Sequence, residues 1–377
     1  MKEWNWFYIF QGVLGILCAL LQWLLFRSGF DFLRNPVWIL MFLLEPLAYT
    51  LPNLAEKYMP LTLVHLCAWV GGYGFIFTYY ATMAAVPFLL VEGVRWITGW
   101  NGLEGWISLY SRLALAALFI LIIFGSWRAF HPQVVHLDLT THKPVRGPVT
   151  FAFVSDIHFG ILLGPWFARR LVRDLNRLHP DYILMGGDII DGNLHVVEKN
   201  HTLEELRNLE PKKGTLAVLG NHDHYSGHTD REKEILEGLS IRVLLNEGFL
   251  TGEGIMVNGM GDFLYHPLSE VPPSDGHFSI VMEHEPVSMK EAAKAGHDLF
   301  LAGHTHGGQF WPNRYFTKRA FDLDYGVKRY GNMIAYVTSG YGMWGTPFRL
   351  GPKPEIVMIT VSYLPNGQFH SSKETLI

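Results

Sequence analysis

Cysteine is almost missing from this 377-residue sequence: Cys18 and Cys67 are the only two. Both lie in apolar stretches, so nothing after residue 67 can form a disulfide or a zinc–thiolate site, and the redox compartment is not readable from them. Charge is scarce as well. Asp, Glu, Lys and Arg make up 17% of the chain, against about 25% in ordinary globular domains. The deficit sits in residues 1–130, which hold thirteen of these residues and, of the eighteen histidines, only His65. A formal net charge of −4 gives no general pull toward nucleic acid, so no nucleic-acid partner is expected. Internal repeats and low-complexity tracts are absent.

What fills the first region is a series of long apolar runs. Residues 4–26 are apolar except Asn5, Gln11 and Gln22, and their length matches the ~20 residues of a membrane helix. A cleaved signal peptide fits less well, because Arg27-Ser-Gly-Phe-Asp is not a small-residue cleavage site. A second run spans 37–51 and is interrupted by Glu45-Pro46; a third follows Pro60 to about 91; a fourth covers 113–127. Residues 1–130 therefore read as a helical transmembrane domain of about four spans. Trp96, Trp100 and Trp106 mark a loop at headgroup level. Glu45 and His65 invite a functional reading as ionisable groups in apolar runs, but packing or an interfacial position is the plainer account. An even number of spans puts the N-terminus and the large C-terminal region on one side. Lys2, Lys57, Arg128, Lys143 and Arg146 lie on that side, against Arg27, Arg34, Arg95 and Arg112 opposite, a narrow preference for the cytoplasmic face.

Residues 131–148 form a connector with a short strand, and from Val149 to the C-terminus strands alternate with helices, an α/β pattern. VTFAFV, DYILMGGD, TLAVLGNHD, HFSIVMEHEP and HDLFLAGHTHGG each run apolar and end in a polar cluster. Pro165 opens an amphipathic helix. HTLEELRNL reads as a helix with Thr202 and Glu205 at capping-box spacing, and TDREKEILEGL as a helix with acids at its start.

The strand-end clusters carry the chemistry. They are Asp156-x-His158, Gly187-Asp188-x-x-Asp191, Gly220-Asn221-His222-Asp223, His284-x-Pro286 and Gly303-His304-x-His306. In open α/β sheets the carboxyl ends of strands form the ligand crevice. Carboxylates and imidazoles crowded there repel or lose hydration unless cations sit among them. The ligand types suit hard-to-borderline divalent ions such as Mn, Fe, Zn or Co. Two such ions, about 3.5–4 Å apart, would activate a bridging hydroxide and stabilise attacking and leaving oxygens at phosphorus. Taken singly, each residue is equally a turn or capping residue; Asp191, His224 and His228 are left outside the metal shell on that ground.

Together SDIH, GDIIDG, GNHD, MEHEP and GHTHGG resemble the calcineurin-like metallophosphoesterase superfamily over about residues 149–360. The resemblance implies a double β-sandwich flanked by helices, and two divalent ions, manganese first, with zinc, iron or cobalt as alternatives. It implies one ion held by Asp156, His158, Asp188 and His306, and a second by Asp188, Asn221, His284 and His304, with Asp188 bridging. His222 resembles the imidazole that contacts phosphate and protonates the leaving group, with Asp223 orienting it. GHTHGGQ and GYGMWGTPFRLGPKPEI resemble a membrane-associated bacterial subgroup that includes chlamydial-type UDP-2,3-diacylglucosamine pyrophosphatases and related envelope phosphodiesterases. Gly192 and Asp223 stand where protein Ser/Thr phosphatases have Arg and Glu, which counts against a protein substrate.

The expectation is an integral protein of the bacterial plasma (inner) membrane that contacts membrane lipids and hydrolyses an amphiphilic phosphodiester or pyrophosphate. UDP-2,3-diacylglucosamine or a phospholipid is the expected substrate type. Loops 159–168 and 262–275, with Phe159, Leu162 and Leu163, are the expected acyl entrance. Arg314, Lys318, Arg319 and Arg349 are read as solvated charge that could also meet phosphate or anionic lipid. A phosphodiesterase for soluble nucleotides, or a non-catalytic metal-binding sensor or scaffold, are the alternatives.

Overall fold

Parallel strands covered on both faces need near-continuous apolar sequence, and the apolar runs after residue 148 supply it. The structure, a computed structural model, describes residues 2–55, 58–100, 102–261 and 274–364. Contacts divide the chain into two units, the first made of residues up to His131 together with Met343–Leu350, the second of the rest.

The helical unit contains α1 (Lys2–Arg27), α2 (Ile39–Ala55), α3 (Leu61–Thr98) and α4 (Glu104–Ala129). Three of the four apolar runs fall within one helix each, and the second begins in a 3-10 turn, Pro36–Trp38, that leads into α2. Among the described residues α3 and α4 are long and apolar enough to cross a membrane, whereas the apolar stretches Gly12–Arg27 and Pro36–Ala48 are shorter. The outer faces are apolar: Leu90, Ile120 and Ile123 are 68–70% exposed, a surface that water would oppose and hydrocarbon would accept. Met343–Leu350, placed by the sequence in the C-terminal domain, belongs to this unit. Its Thr346 hydroxyl donates to Gly72 O at 2.9 Å, its Arg349 amide donates to Gly125 O at 3.0 Å, and Phe348 packs 5.8 Å from the Tyr80 ring. A Cβ on Gly125 would collide with Phe348, so glycine there makes the seat. Arg349 is fully buried, so it is not the solvated charge expected of it.

Among its described residues the second unit has twelve strands: β1 (Gln133–Thr141), β2 (Val149–Val154), β3 (Tyr182–Gly186), β4 (Gly214–Val218), β5 (Ile241–Val243), β6 (Glu247–Leu250), β7 (Ile255–Gly259), β8 (Phe278–Met282), β9 (Leu299–Ala302), β10 (Gly326–Tyr330), β11 (Met333–Val337) and β12 (Glu355–Tyr363). Its helices are α5 (Pro165–Asn176), α6 (Leu194–Lys199), α7 (Asn221–Tyr225), α8 (Thr229–Gly238), α9 (Met289–Lys294) and α10 (Arg314–Ala320). One sheet has the order β1-β12-β2-β3-β4-β5 and the other β10-β11-β9-β8-β7-β6. Both are mixed: β2 to β5 are mutually parallel, with β12 antiparallel to β2, and β7, β8, β9 and β11 are parallel between antiparallel edges. Phe151, Phe153, Leu184 and Leu216 from the first sheet share one buried cluster with Ile280, Met282, Leu299 and Leu301 from the second. This α/β architecture of two mixed sheets agrees with the expected fold class. The connector 131–148 holds a nine-residue edge strand paired along its length with β12, so the sheet begins inside it.

Two local expectations change. Residues Leu203–Asn208 form a 3-10 helix without a side-chain cap, because the Thr202 hydroxyl turns back to Asn200. Phe159 and Leu163 are buried, at 0% and 2% exposure. They therefore serve the core and do not line an entrance; most of the 262–275 loop lies outside the described residues.

Candidate metal centre

Every polar cluster follows the carboxyl end of a parallel strand: β2, β3 and β4 in one sheet, β8 and β9 in the other. Neighbouring loops are laced together. Asp156 N donates to Gly187 O at 3.0 Å, His158 N to Asp188 O at 3.0 Å, and Gly303 N to His284 O at 3.0 Å. Five of the ligand-type residues sit in left-handed backbone: Asp156 (φ 53°), His158 (55°), Asp188 (50°), His304 (69°) and His306 (51°). Non-glycine residues adopt that region at an energetic cost, and such strain gathers at functional sites. Gly220 makes the close approach possible, since a Cβ there would run into Asp188 and His284.

The side chains converge. His158 Nε2 lies 3.0 Å from His306 Nε2, His306 Nε2 is 3.5 Å from Asp156 Oδ1, and His158 Nε2 is 3.6 Å from Asp188 Oδ2. On the other side His284 Nε2 is 3.1 Å from the same Asp188 Oδ2, and His304 Nδ1 is 2.9 Å from Asn221 Oδ1. Asp188 thus faces both halves of the cluster, and its Oδ1 accepts from His222 N at 2.9 Å. Asp156, His158 and His306 form one group able to hold an ion, and Asp156, Asp188 and His284 another.

The donor set fits divalent cations. Asp156 Oδ2 is buried without a hydrogen-bond partner, a costly state for a polar atom unless an ion meets it. The cluster also calls for positive charge. Burial works against the Asp188 carboxylate, yet the nearby His284 and His222 imidazoles hold its pKa well below the ordinary range. Burial likewise opposes a proton on His284, but Asp188 and Asp156 raise its affinity well above the usual value. His304 behaves oppositely: burial, then the charge of His284, lowers it to about 3, leaving a neutral imidazole suited to ligation.

His222 projects from α7 beside this cluster. Its Nδ1 is 3.0 Å from Asp191 Oδ1, which also reaches His158 Nδ1 at 3.2 Å. Burial opposes the charged form of His222, and Asp188 and Asp191 outweigh it, so its pKa is raised. Asp223 does not perform the orienting role expected of it. Consecutive helical residues point apart, and its carboxylate instead accepts from Gly220 N at 2.7 Å and Ile190 N at 2.8 Å, joining two ligand loops. Behind it stands Glu232 of α8, fully buried, with neither carboxyl oxygen met by a donor. Burial and then Asp188 raise Asp223 to about 6, and burial and then Asp223 raise Glu232 well above the usual range. A neutral Glu232 carboxyl donating to Asp223 satisfies both. The GDxxD spacing held the signal for Asp191; for Glu232 it was an acid sharing the buried face of α8 with Leu236.

Comparison with known proteins adds to this geometry. Residues 149–308 match the family described as calcineurin-like phosphoesterase. An uncharacterised metallophosphoesterase of Helicobacter pylori is 30% identical over 285 residues, covering 71% of this chain and 73% of that protein. One from Campylobacter jejuni is 28% identical, covering 68% and 70%. A protein of Bos taurus named transmembrane protein with metallophosphoesterase domain is 28% identical, covering 69% of this chain and 64% of its own length.

Proposed function

Because the chain belongs to the calcineurin-like phosphoesterase family and is a phosphoester hydrolase, we propose that it is a membrane-embedded, dimetal enzyme cleaving a lipid-linked phosphodiester or pyrophosphate. The observation that carries the metal chemistry is the clustering of Asp156, His158, Asp188, His284 and His306, with Asp156 Oδ2 buried and unmet and with His304 paired to Asn221 beside His284. In our assignment Asp156, His158, Asp188 and His306 hold one cation, and Asp188, Asn221, His284 and His304 the other. Bound there, two divalent ions, manganese first and zinc, iron or cobalt next, would neutralise phosphoryl charge and acidify water.

The residues do the remainder. Asp188 and Asp191 hold a proton on His222, whose Nδ1 is fixed by Asp191. The opposite ring nitrogen is then the one to give a proton to the leaving oxygen as water adds at phosphorus and the ester bond breaks. The apolar helices and the relative named as a transmembrane protein support membrane embedding. On this reading all four helices cross, the protein lies in the bacterial inner membrane, and the enzyme unit shares the cytoplasmic side with the N-terminus. A tethered enzyme meets lipid-anchored substrate at high effective concentration, which favours UDP-2,3-diacylglucosamine-like glycolipids or phospholipids.

The test is hydrolysis by the full chain in micelles, with Mn, Zn or Mg, of lipid-linked and soluble phosphodiesters. Metal-dependent turnover is expected, with preference for the lipid-linked esters, and a loss of about 10³-fold or more in Asp188→Ala. Absence of metal-stimulated turnover on every ester would overturn the reading.

A further inference from the structure

The segment Trp311–Ala320, WPNRYFTKRA, contains no acid, three bases and three aromatic residues. Its helix α10 buries none of its residues. Trp311, Tyr315 and Phe316 are 59%, 58% and 63% exposed, far more than aromatic rings of a water-facing surface usually are. Arg314 is drawn inward, its Nε 3.3 Å from Asp324 Oδ2. Lys318 and Arg319 remain on the exposed side, with the Arg319 guanidinium 3.5 Å over the Tyr315 ring.

The segment and the residue after it touch the loop that carries His304 and His306. At its start the backbone of Arg314 lies against Gly308, where a Cβ would collide with it; Gly308 is two residues beyond His306. At its end the Phe321 ring stands 5.5 Å from that of His304. The exposed aromatic and basic face therefore belongs to the rim of the reaction site.

We propose that Trp311, Tyr315, Phe316, Lys318 and Arg319 form a docking surface for anionic lipid headgroups, placing the metal centre's rim at the bilayer surface. Amphipathic rings settle at headgroup depth, and paired bases complement anionic lipid. Basic and aromatic surfaces also bind single-stranded nucleic acid, but the chain's net charge of −4 gives no long-range attraction to a polyanion, whereas its own apolar helices keep a bilayer within reach. The inference rests on the membrane embedding proposed above and not on the hydrolytic reaction.

The experiment uses the full chain with Cys18→Ser and Cys67→Ser, carrying a polarity-sensitive dye at Phe316→Cys, in nanodiscs of phosphatidylcholine with or without phosphatidylglycerol. Lys212→Cys, at a side chain 58% exposed, carries the dye in a parallel sample. The dye at 316 is expected to report a less polar setting when phosphatidylglycerol is present, and high salt is expected to reverse this. Lys318→Glu with Arg319→Glu should lower the docked-to-undocked ratio about tenfold or more. The proposal is overturned if the dye at 316 ignores phosphatidylglycerol, if the dye at 212 responds equally, or if an RNA oligonucleotide moves the 316 signal further than the anionic lipid does. Because the readout is fluorescence, a protein that hydrolyses no ester still reveals whether this face docks.

Discussion

In the helical unit one polar side chain from each of three helices joins a hydrogen-bond chain: Gln22 of α1 donates to Thr78 of α3 at 2.9 Å, and Thr78 donates to Glu45 of α2. In the two-sheet unit, Asp156, His158, Asp188, His284 and His306 form groups able to hold an ion, and His304 pairs with Asn221 beside His284. The first arrangement is a chain of hydrogen bonds across three helices that leaves Gln22 Oε1 buried without a partner. The second leaves buried atoms unmet and backbone strained at five positions. Both regions bury unmet polar atoms, but among the described residues only the second gathers carboxylates and imidazoles into groups able to hold an ion.

If that contrast is right, single substitutions should act very differently in the two regions, and the largest effect belongs to the cluster. His222→Ala is expected to lower kcat by about 10²–10⁴-fold while metal content, read by elemental analysis, stays at the native value. Asp191→Asn should cost less and move the pH profile. Asp191 is among the groups that raise the proton affinity of His222. Without its charge His222 gives up its proton at lower pH, so the alkaline fall in kcat shifts downward. An unchanged alkaline limb would show that Asp191 does not act through His222.

The cluster was legible in sequence because each member ends an apolar run, and period and burial mark such runs plainly. VTFAFV before Asp156 and LFLA before His304 needed no tertiary information. The partner of His222 was not legible: Asp223 is its neighbour in sequence, whereas Asp191 lies a whole β-α unit earlier, and only the fold and the direction of side chains on α7 bring Asp191 to it. Glu232 was hidden for a similar reason, since the acids at the start of α8 looked like helix-end electrostatics until one was found buried. The return of Met343–Leu350 to the helices depends on contacts more than 200 residues apart in sequence, such as Thr346 with Gly72, which local patterns do not carry. The four apolar runs did give the four helices, because length and hydropathy are local properties.

Packing and surface charge come next in size. Phe348→Ala empties a fully buried seat against Gly125 and Tyr80 and should cost about 3 kcal/mol, measured as loss of thermal stability in micelles. Asp181→Asn tests the sheet unit away from the cluster. Asp181 accepts from Thr150 N at 2.8 Å and Thr150 Oγ1 at 2.9 Å. Its partial burial opposes ionisation, but these bonds and Lys213 lower its pKa below the ordinary 3.8. A depressed carboxylate stabilises fully above its unfolded value and loses that contribution as pH falls through the folded value. The variant should therefore lose about 2 kcal/mol at pH 7, and the difference from the native chain should shrink as pH falls through the folded value of Asp181. A loss that stays the same as the pH is lowered would mean that shape, not charge, matters at Asp181.

The smallest expected effect is the one that separates the two regions most cleanly. Gln22 is completely buried and spends its amide on Thr78, so in a water-soluble core its loss would be counted in whole kilocalories. Between apolar helices the reference state also finds partners, and such hydrogen bonds average about 0.6 kcal/mol. Gln22→Met keeps the volume and length of the side chain while removing its polar end. It should lower stability in micelles by about that amount and leave metal-dependent turnover at the native rate. Should Gln22→Met instead abolish turnover with its thermal stability preserved, the polar chain through Thr78 and Glu45 would have a part in the chemistry, and the division between structural and reactive polarity would fail.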